Sequence, residues 1–267
     1  MGAESLGESR KPSRELSVGE IFTRTFTFYS QNFAQFLLPF LLAGVIEGVV
    51  LVTLESIITV PATLPQTATL EELLDWLPGY FSAILTIAFF SGIVGWIIGN
   101  IAQGTVIKFA SDTLENRASN LLVSFKFTLS RLLSLLVVSL ITGILIVAGL
   151  IALVIPGIIL AIMFSLVVPV IIIENISVRE SLSRSRLLVD RRWLKTLGLL
   201  LLFQITIGMV GSIISVLTVS LGFVGSVASS ILLAFIQPIL PIGLTLYYYS
   251  MIARTTPAVT SQPAQTV

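Results

Sequence analysis

The chain has 267 residues, 55% of them hydrophobic and 11% charged, with a mean hydropathy of +1.01. A soluble domain carries roughly 25% charged residues, so most of this chain belongs in lipid. The net charge of +1 gives no footing for nucleic acid, and the absence of cysteine and histidine removes disulfides, thiol nucleophiles, the usual N/S zinc sites and imidazole acid–base chemistry.

In chain order, residues 1–16 are polar and mixed in charge and read as a disordered tail. The first apolar run starts near Phe33, too late for a cleaved secretory signal, so no processing is expected. Ser17-Val-Gly-Glu20 has the Ser-x-x-Glu form of a capping box and starts a helix. At 100° per residue Val18, Ile21, Phe22, Thr25, Phe28, Tyr29 and Phe33 fall on one side, opposite Glu20, Arg24, Thr27 and Gln31. That pattern suits a helix lying at the membrane surface.

Crossing a hydrocarbon core of about 30 Å takes about 20 apolar residues. Six crossings are expected, near 33–54, 80–107, 132–153, 158–173, 197–219 and 226–250, within a membrane domain of residues 17–254. The polar segment from Glu55 to Gly79 joins the first two. Residues 132–173 carry no charge and as one helix would span about 63 Å, so they must fold back, with Pro156-Gly157 the natural break. Residues 196–253 are also uncharged and form another hairpin, with Gly222 and Gly225 marking its turn. Residues 255–267 read as a second disordered tail.

All fifteen Lys and Arg residues fall in the four segments that six crossings place on one side, and the opposite loop carries Glu55, Glu71, Glu72 and Asp75. The positive-inside rule then puts both termini in the cytoplasm and the protein in a cell membrane, and the composition suits a prokaryote. Trp193 and the Tyr247-Tyr248-Tyr249 run fit an aromatic belt at the cytoplasmic edge. Ser177-Val-Arg-Glu180 repeats the capping box at an offset of 160, and Ser119 to Arg131 is a weaker third copy without the capping glutamate. The expected fold is therefore all-α and polytopic, three hairpins each preceded by a cytoplasmic amphipathic helix, read as parallel repeats.

Three blocks, Leu16 to Phe33, Val154 to Glu174 and Ser177 to Leu201, resemble the membrane domain that accompanies some glycerophosphoryl diester phosphodiesterases and the related YciC-like six-helix proteins. The residues carrying the likeness are Pro156, Gly157, Pro169, Glu174, Glu180, Leu182, Arg184, Ser185 and Trp193, with Ser181 where alanine is commoner. The resemblance implies the membrane half alone, since the phosphodiesterase chemistry needs histidines and a barrel.

Glu47 is the one ionisable residue well inside an expected span and is a functional candidate on that ground. Gly44 and Gly48 flank it in a GxxxG, Gly95 and Gly99 repeat the spacing in the next span, and Asn100 and Gln103 stand ready as hydrogen-bond partners. A proton or cation site is one reading; a neutral glutamate joining two helices is the other. Gln237-Pro238 and Pro241 interrupt the sixth span, as in transporters with discontinuous helices. Arg179, Arg184, Arg186, Arg191, Arg192 and Lys195 are candidates to hold anionic lipid head groups. The expectation is a non-enzymatic module without cofactors that meets lipids or membrane-protein partners in membrane homeostasis; a small solute or ion transporter using Glu47 and the broken sixth helix is the alternative.

Overall fold

The computed structural model describes residues 11–61 and 69–255, which form eleven α-helices. The protein is an all-α multi-pass membrane protein, and five of its described segments are long and apolar enough to cross a membrane: Phe33–Ile57, Leu70–Leu114, Leu132–Ala152, Val154–Glu174 and Trp193–Leu221.

Helix α1 (Val18–Gln31) starts at the Ser17/Glu20 capping box, both halves of which are formed. Its stripe of Ile21, Thr25, Phe28 and Tyr29 is buried, and what covers it is protein, because α1 packs against helices α9 (Trp193–Thr218) and α11 (Ile239–Thr255). The Leu16 amide donates to Ser250 Oγ at 2.8 Å and the Tyr29 hydroxyl donates to the Phe235 carbonyl at 2.9 Å, so α1 runs antiparallel along the C-terminal segment. Residues 11–16, expected to be disordered, are pinned to the bundle: Leu16 is 1% exposed, Lys11 pairs with Glu115, and Glu15 with Arg192 and Lys195.

Helices α2 (Phe33–Ile57) and α3 (Leu70–Leu114) pack as the first hairpin. Both outrun their expected spans. A second capping box, Thr69 with Glu72, starts α3 ten residues early, so Leu70 to Gly79 is helix rather than connector; Pro78 is accommodated inside it. Helix α4 (Leu121–Ser130) is capped by the Asn120 side chain in place of a capping box and lies against α3. Gly104 permits that approach: a Cβ there would stand 2.6 Å from Thr128 Cγ2.

The second hairpin turns at Leu153, between α5 (Leu132–Ala152) and α6 (Val154–Met163), rather than at Pro156-Gly157. Pro156 sits instead in the first turn of α6, where a missing N–H costs nothing, and Gly157 meets Gly149 across the turn. The expected 158–173 helix is two helices, α6 and α7 (Val167–Glu174), parted by a short turn at residues 164–166. Helix α8 (Val178–Val189) starts at the Ser177/Glu180 capping box and repairs that break: Ser185 Oγ donates to the Met163 carbonyl at 2.8 Å and accepts from the Leu166 amide at 3.2 Å.

In the third hairpin, α9 ends in a 3₁₀ turn, Val219–Leu221, just ahead of Gly222. Gly225 is required there, because a Cβ would stand 2.0 Å from the Thr218 carbonyl oxygen. The expected 226–250 span is α10 (Gly222–Leu233) and α11, separated by a non-helical turn at residues 234–238. Helix α11 is the centre of the protein. Every residue from Pro241 to Met251 is buried, against α1, α3, α7 and α8 among others.

The Gly44-x-x-x-Gly48 face of α2 meets α10 rather than α3. A Cβ on Gly44 would lie 2.6 Å from the Ser230 carbonyl oxygen, a backbone atom that cannot swing aside. Gly44→Ala is therefore expected to destabilise the protein by about 1–3 kcal/mol as overpacking, whereas Gly92→Ala, with nothing within 4 Å of the added carbon, should be neutral or slightly stabilising. Thermal unfolding of the two variants in detergent checks this; equal melting temperatures would show that the α2–α10 contact is loose.

Candidate functional site

Three carboxamide-bearing segments converge on an open cleft, with Asn100 buried, Gln103 and Gln237 half-buried and Gln204 exposed. On α3, Trp96, Gly99, Asn100 and Gln103 fall on one stripe at i, i+3, i+4 and i+7. On α9, Gln204 and Ile207 share a face, and the break between α10 and α11 presents Gln237, followed by Leu240 and Pro241. Together with Phe40 of α2 and Gly95, these residues line a cavity of about 350 Å³, at the small end of ligand sites. Asn100 lies eight residues before Lys108 and Gln204 nine after Lys195, so the cavity sits about 12–14 Å in from the nearest basic residues along either helix.

The polar groups of the cavity are not all satisfied from within. Asn100 is 7% exposed; its Nδ2 donates to the Trp96 carbonyl at 2.8 Å, but its Oδ1 has no partner among the described residues. A buried acceptor left unpaired costs about 1–3 kcal/mol, and more in an apolar surrounding. Pro238 and Pro241 carry no N–H, so they return no helical hydrogen bond to the carbonyls of Ala234 and Gln237. The carbonyl between them, Phe235, is taken by Tyr29.

Glu47 does not line this cavity but lies beside Gly95, which does. Its Oε1 lies 3.1 Å from where a Cβ on Gly95 would be, so the absence of a side chain at Gly95 is what leaves room for the carboxyl. The expected hydrogen bond from Glu47 to Asn100 or Gln103 is not among the bonds of the described residues; the Asn100 amide turns to its own helix. Gly99 is open, with nothing within 4 Å. Gln204 escaped the sequence reading although it is the one side-chain amide of α9, a signal as plain as Asn100. Its relevance depends on α9 and α3 sharing a cavity, which spacing within one helix does not disclose. No family model matches the chain, and no curated protein or solved structure matches it either, so the resemblance drawn from the quoted sequence blocks rests on those residues alone.

The second polar locus lies at one end of the bundle, around residues 247–250. Consecutive residues on a helix point about 100° apart, and each of these four reaches a different element. Tyr247 shares a hydrogen bond of 2.6 Å with Thr196 of α9, Tyr248 donates to Glu174 at 2.9 Å, Tyr249 donates to Glu115 at 3.0 Å and lies 2.7 Å from Ser111, and Ser250 accepts from Leu16. The three tyrosines, expected in a lipid-facing belt, are at most 5% exposed and tie the protein together. The basic residues expected to hold lipid head groups divide accordingly. Arg184 is held by Glu174 at 2.9 Å, and Arg192 and Lys195 share Glu15 at 2.8 and 2.5 Å. Arg179 and Arg186 remain exposed with no ion pair among the described residues, and Arg191, exposed and in a left-handed conformation at φ 59°, makes only a 4.0 Å contact with Asp190.

These ion pairs set an acid limit. Burial alone would raise the Glu15 carboxyl, but Arg192 and Lys195 outweigh it and hold it below its ordinary 4.5. Glu115 is likewise pushed up by burial and more than brought back by Lys11, Tyr249 and Arg117. A carboxylate whose folded value is depressed stabilises the fold fully above its unfolded value and loses that contribution as pH falls through the folded value. The melting temperature in detergent should thus hold from pH 7 to about 5 and fall below 4.5. The double variant Glu15→Gln/Glu115→Gln should melt lower at pH 7 and decline less on acidification; parallel pH profiles for the two proteins would show that these pairs contribute nothing.

Proposed function

We propose that the protein is a non-catalytic carrier of a prokaryotic cell membrane, with both termini in the cytoplasm, that binds a small polar solute within the bilayer and moves it across. The observation that supports this most is the convergence of Asn100, Gln103, Gln204 and Gln237 on one cavity at the helix break, with the Asn100 oxygen unpartnered. Four carboxamides have no role in packing against lipid, and the buried one, Asn100, costs free energy unless something returns its hydrogen bonds. A discontinuous helix whose break lies at a membrane-depth cavity is one way in which carriers assemble such a site. The order of amphipathic helix and hairpin, three times over, suits a parallel-repeat carrier architecture.

A second reading, a lipid- or partner-binding module in membrane homeostasis in line with the family resemblance, is supported by the outward Arg179, Arg186 and Arg191. Each such residue near an anionic surface is worth about 1 kcal/mol. Gentle purification followed by mass spectrometry of retained molecules separates the two. The carrier reading expects a small solute retained by the wild type and lost in Asn100→Leu, with uptake into proteoliposomes falling at least roughly tenfold, as for an unpaired polar group in a site. If Asn100→Leu changes neither, while the triple replacement of Arg179, Arg186 and Arg191 by alanine strips bound anionic phospholipid, the lipid module stands and the carrier falls.

A further inference from the structure

The side chains that line the cleft narrow the class of solute. None of them is Asp, Glu, Lys or Arg, so an ion entering would find no opposite charge there to offset the cost of leaving water. What the lining offers is neutral hydrogen bonding. The Asn100 amide nitrogen is taken by the Trp96 carbonyl, which leaves its buried Oδ1 as an acceptor without a partner among the described residues. Trp96 gives its own ring N–H to Ser139 Oγ at 2.9 Å and has no donor left for the cleft. Gln103, Gln204 and Gln237 make no side-chain hydrogen bond among the described residues, and each brings two amide donors and an acceptor oxygen. Gln103 stands one turn from Asn100 on α3. Gly99, next to Asn100 and also on the lining, has nothing within 4 Å of where a Cβ would be, which leaves room there for a ligand.

We propose that the solute is a small neutral molecule of amide or urea type, its N–H donating to Asn100 Oδ1 and its carbonyl accepting from the glutamine amides. An amide suits this lining because it carries donor and acceptor on one rigid plane, as the glutamines do. A cation such as guanidinium brings donors alone and would leave the glutamine N–H groups unanswered. This rests on the carrier reading and gives it a substrate class.

Urea and guanidinium have nearly the same size and planar shape but differ in charge, so they form the test pair. Entry of urea and of glycerol into proteoliposomes is followed by stopped-flow light scattering. Entry of radiolabelled guanidinium is followed in potassium medium with valinomycin, which carries the compensating charge, and each rate is compared with that of protein-free vesicles. The wild type is expected to accelerate urea well beyond glycerol and guanidinium. Asn100→Leu should cut that acceleration roughly tenfold by removing the buried acceptor. Asn100→Asp keeps an acceptor and adds a charge, so it should accelerate guanidinium where the wild type does not, a gain that a misfolded protein cannot give. If the wild type accelerates guanidinium or glycerol as much as urea or more, the amide class is overturned and the carrier reading survives. If urea is accelerated but both Asn100 variants leave its entry unchanged, the solute passes elsewhere and the proposal falls. If none of the three is accelerated, the carrier reading falls with it.

Discussion

A main-chain carbonyl released from its helix inside a bilayer has no water to turn to, and much of this architecture follows from where such groups find donors. The chain breaks its apolar helices twice, between α6 and α7 and between α10 and α11. Each break is met by a hydroxyl from one of the amphipathic helices: Ser185 of α8 at Met163 and Leu166, and Tyr29 of α1 at Phe235. The amphipathic helices thus do more than mark the membrane surface. Ser185 and Tyr29 bring a donor to positions where the spanning helices lack one, whereas the fully buried Thr25 and Ser181 donate to carbonyls of their own helices. At the second break Gln237, Leu240 and Pro241 line a cavity.

Much of the fold was legible because hydropathy and capping are local. The two Ser-x-x-Glu boxes gave the first residues of α1 and α8, the uncharged runs gave the hairpins, and Pro238 with Pro241 gave the interruption of the last span. Positions that depend on what lies across a contact were not legible. Pro156 looked like a breaker but occupies a first turn, where it is harmless. The residues after Thr69 looked like loop because Glu71, Glu72 and Asp75 are charged, although acidic residues are what the first turn of a helix favours.

The candidate site shows the same division. Glu47, Asn100 and the proline break could each be named from the sequence, one helix at a time, but that Asn100 and the break line one cavity with Gln204 is a property of packing. The tyrosine run was misplaced for a related reason. Three consecutive aromatics near a charged end suit a lipid interface, and only the neighbours of α11, which supply Thr196, Glu174, Glu115 and Ser111, turn them inward. Arg192 and Lys195 were read as free positive charge because their partner, Glu15, lies 177 residues away from Arg192.

The hydrogen bond from Leu16 to Ser250 joins residues 234 positions apart, and α1 lies along α11 for its whole length. During synthesis, at about 5–20 residues per second, the first helix therefore waits on the order of ten seconds or more for the surface that buries its phenylalanines. In that interval its apolar stripe has only lipid or another protein to rest on. The bundle is closed by α11, so a chain that stalls or is cut before residue 239 leaves α1 without a partner it folds against, and assembly is complete only when the segments around Leu16 and Ser250 meet.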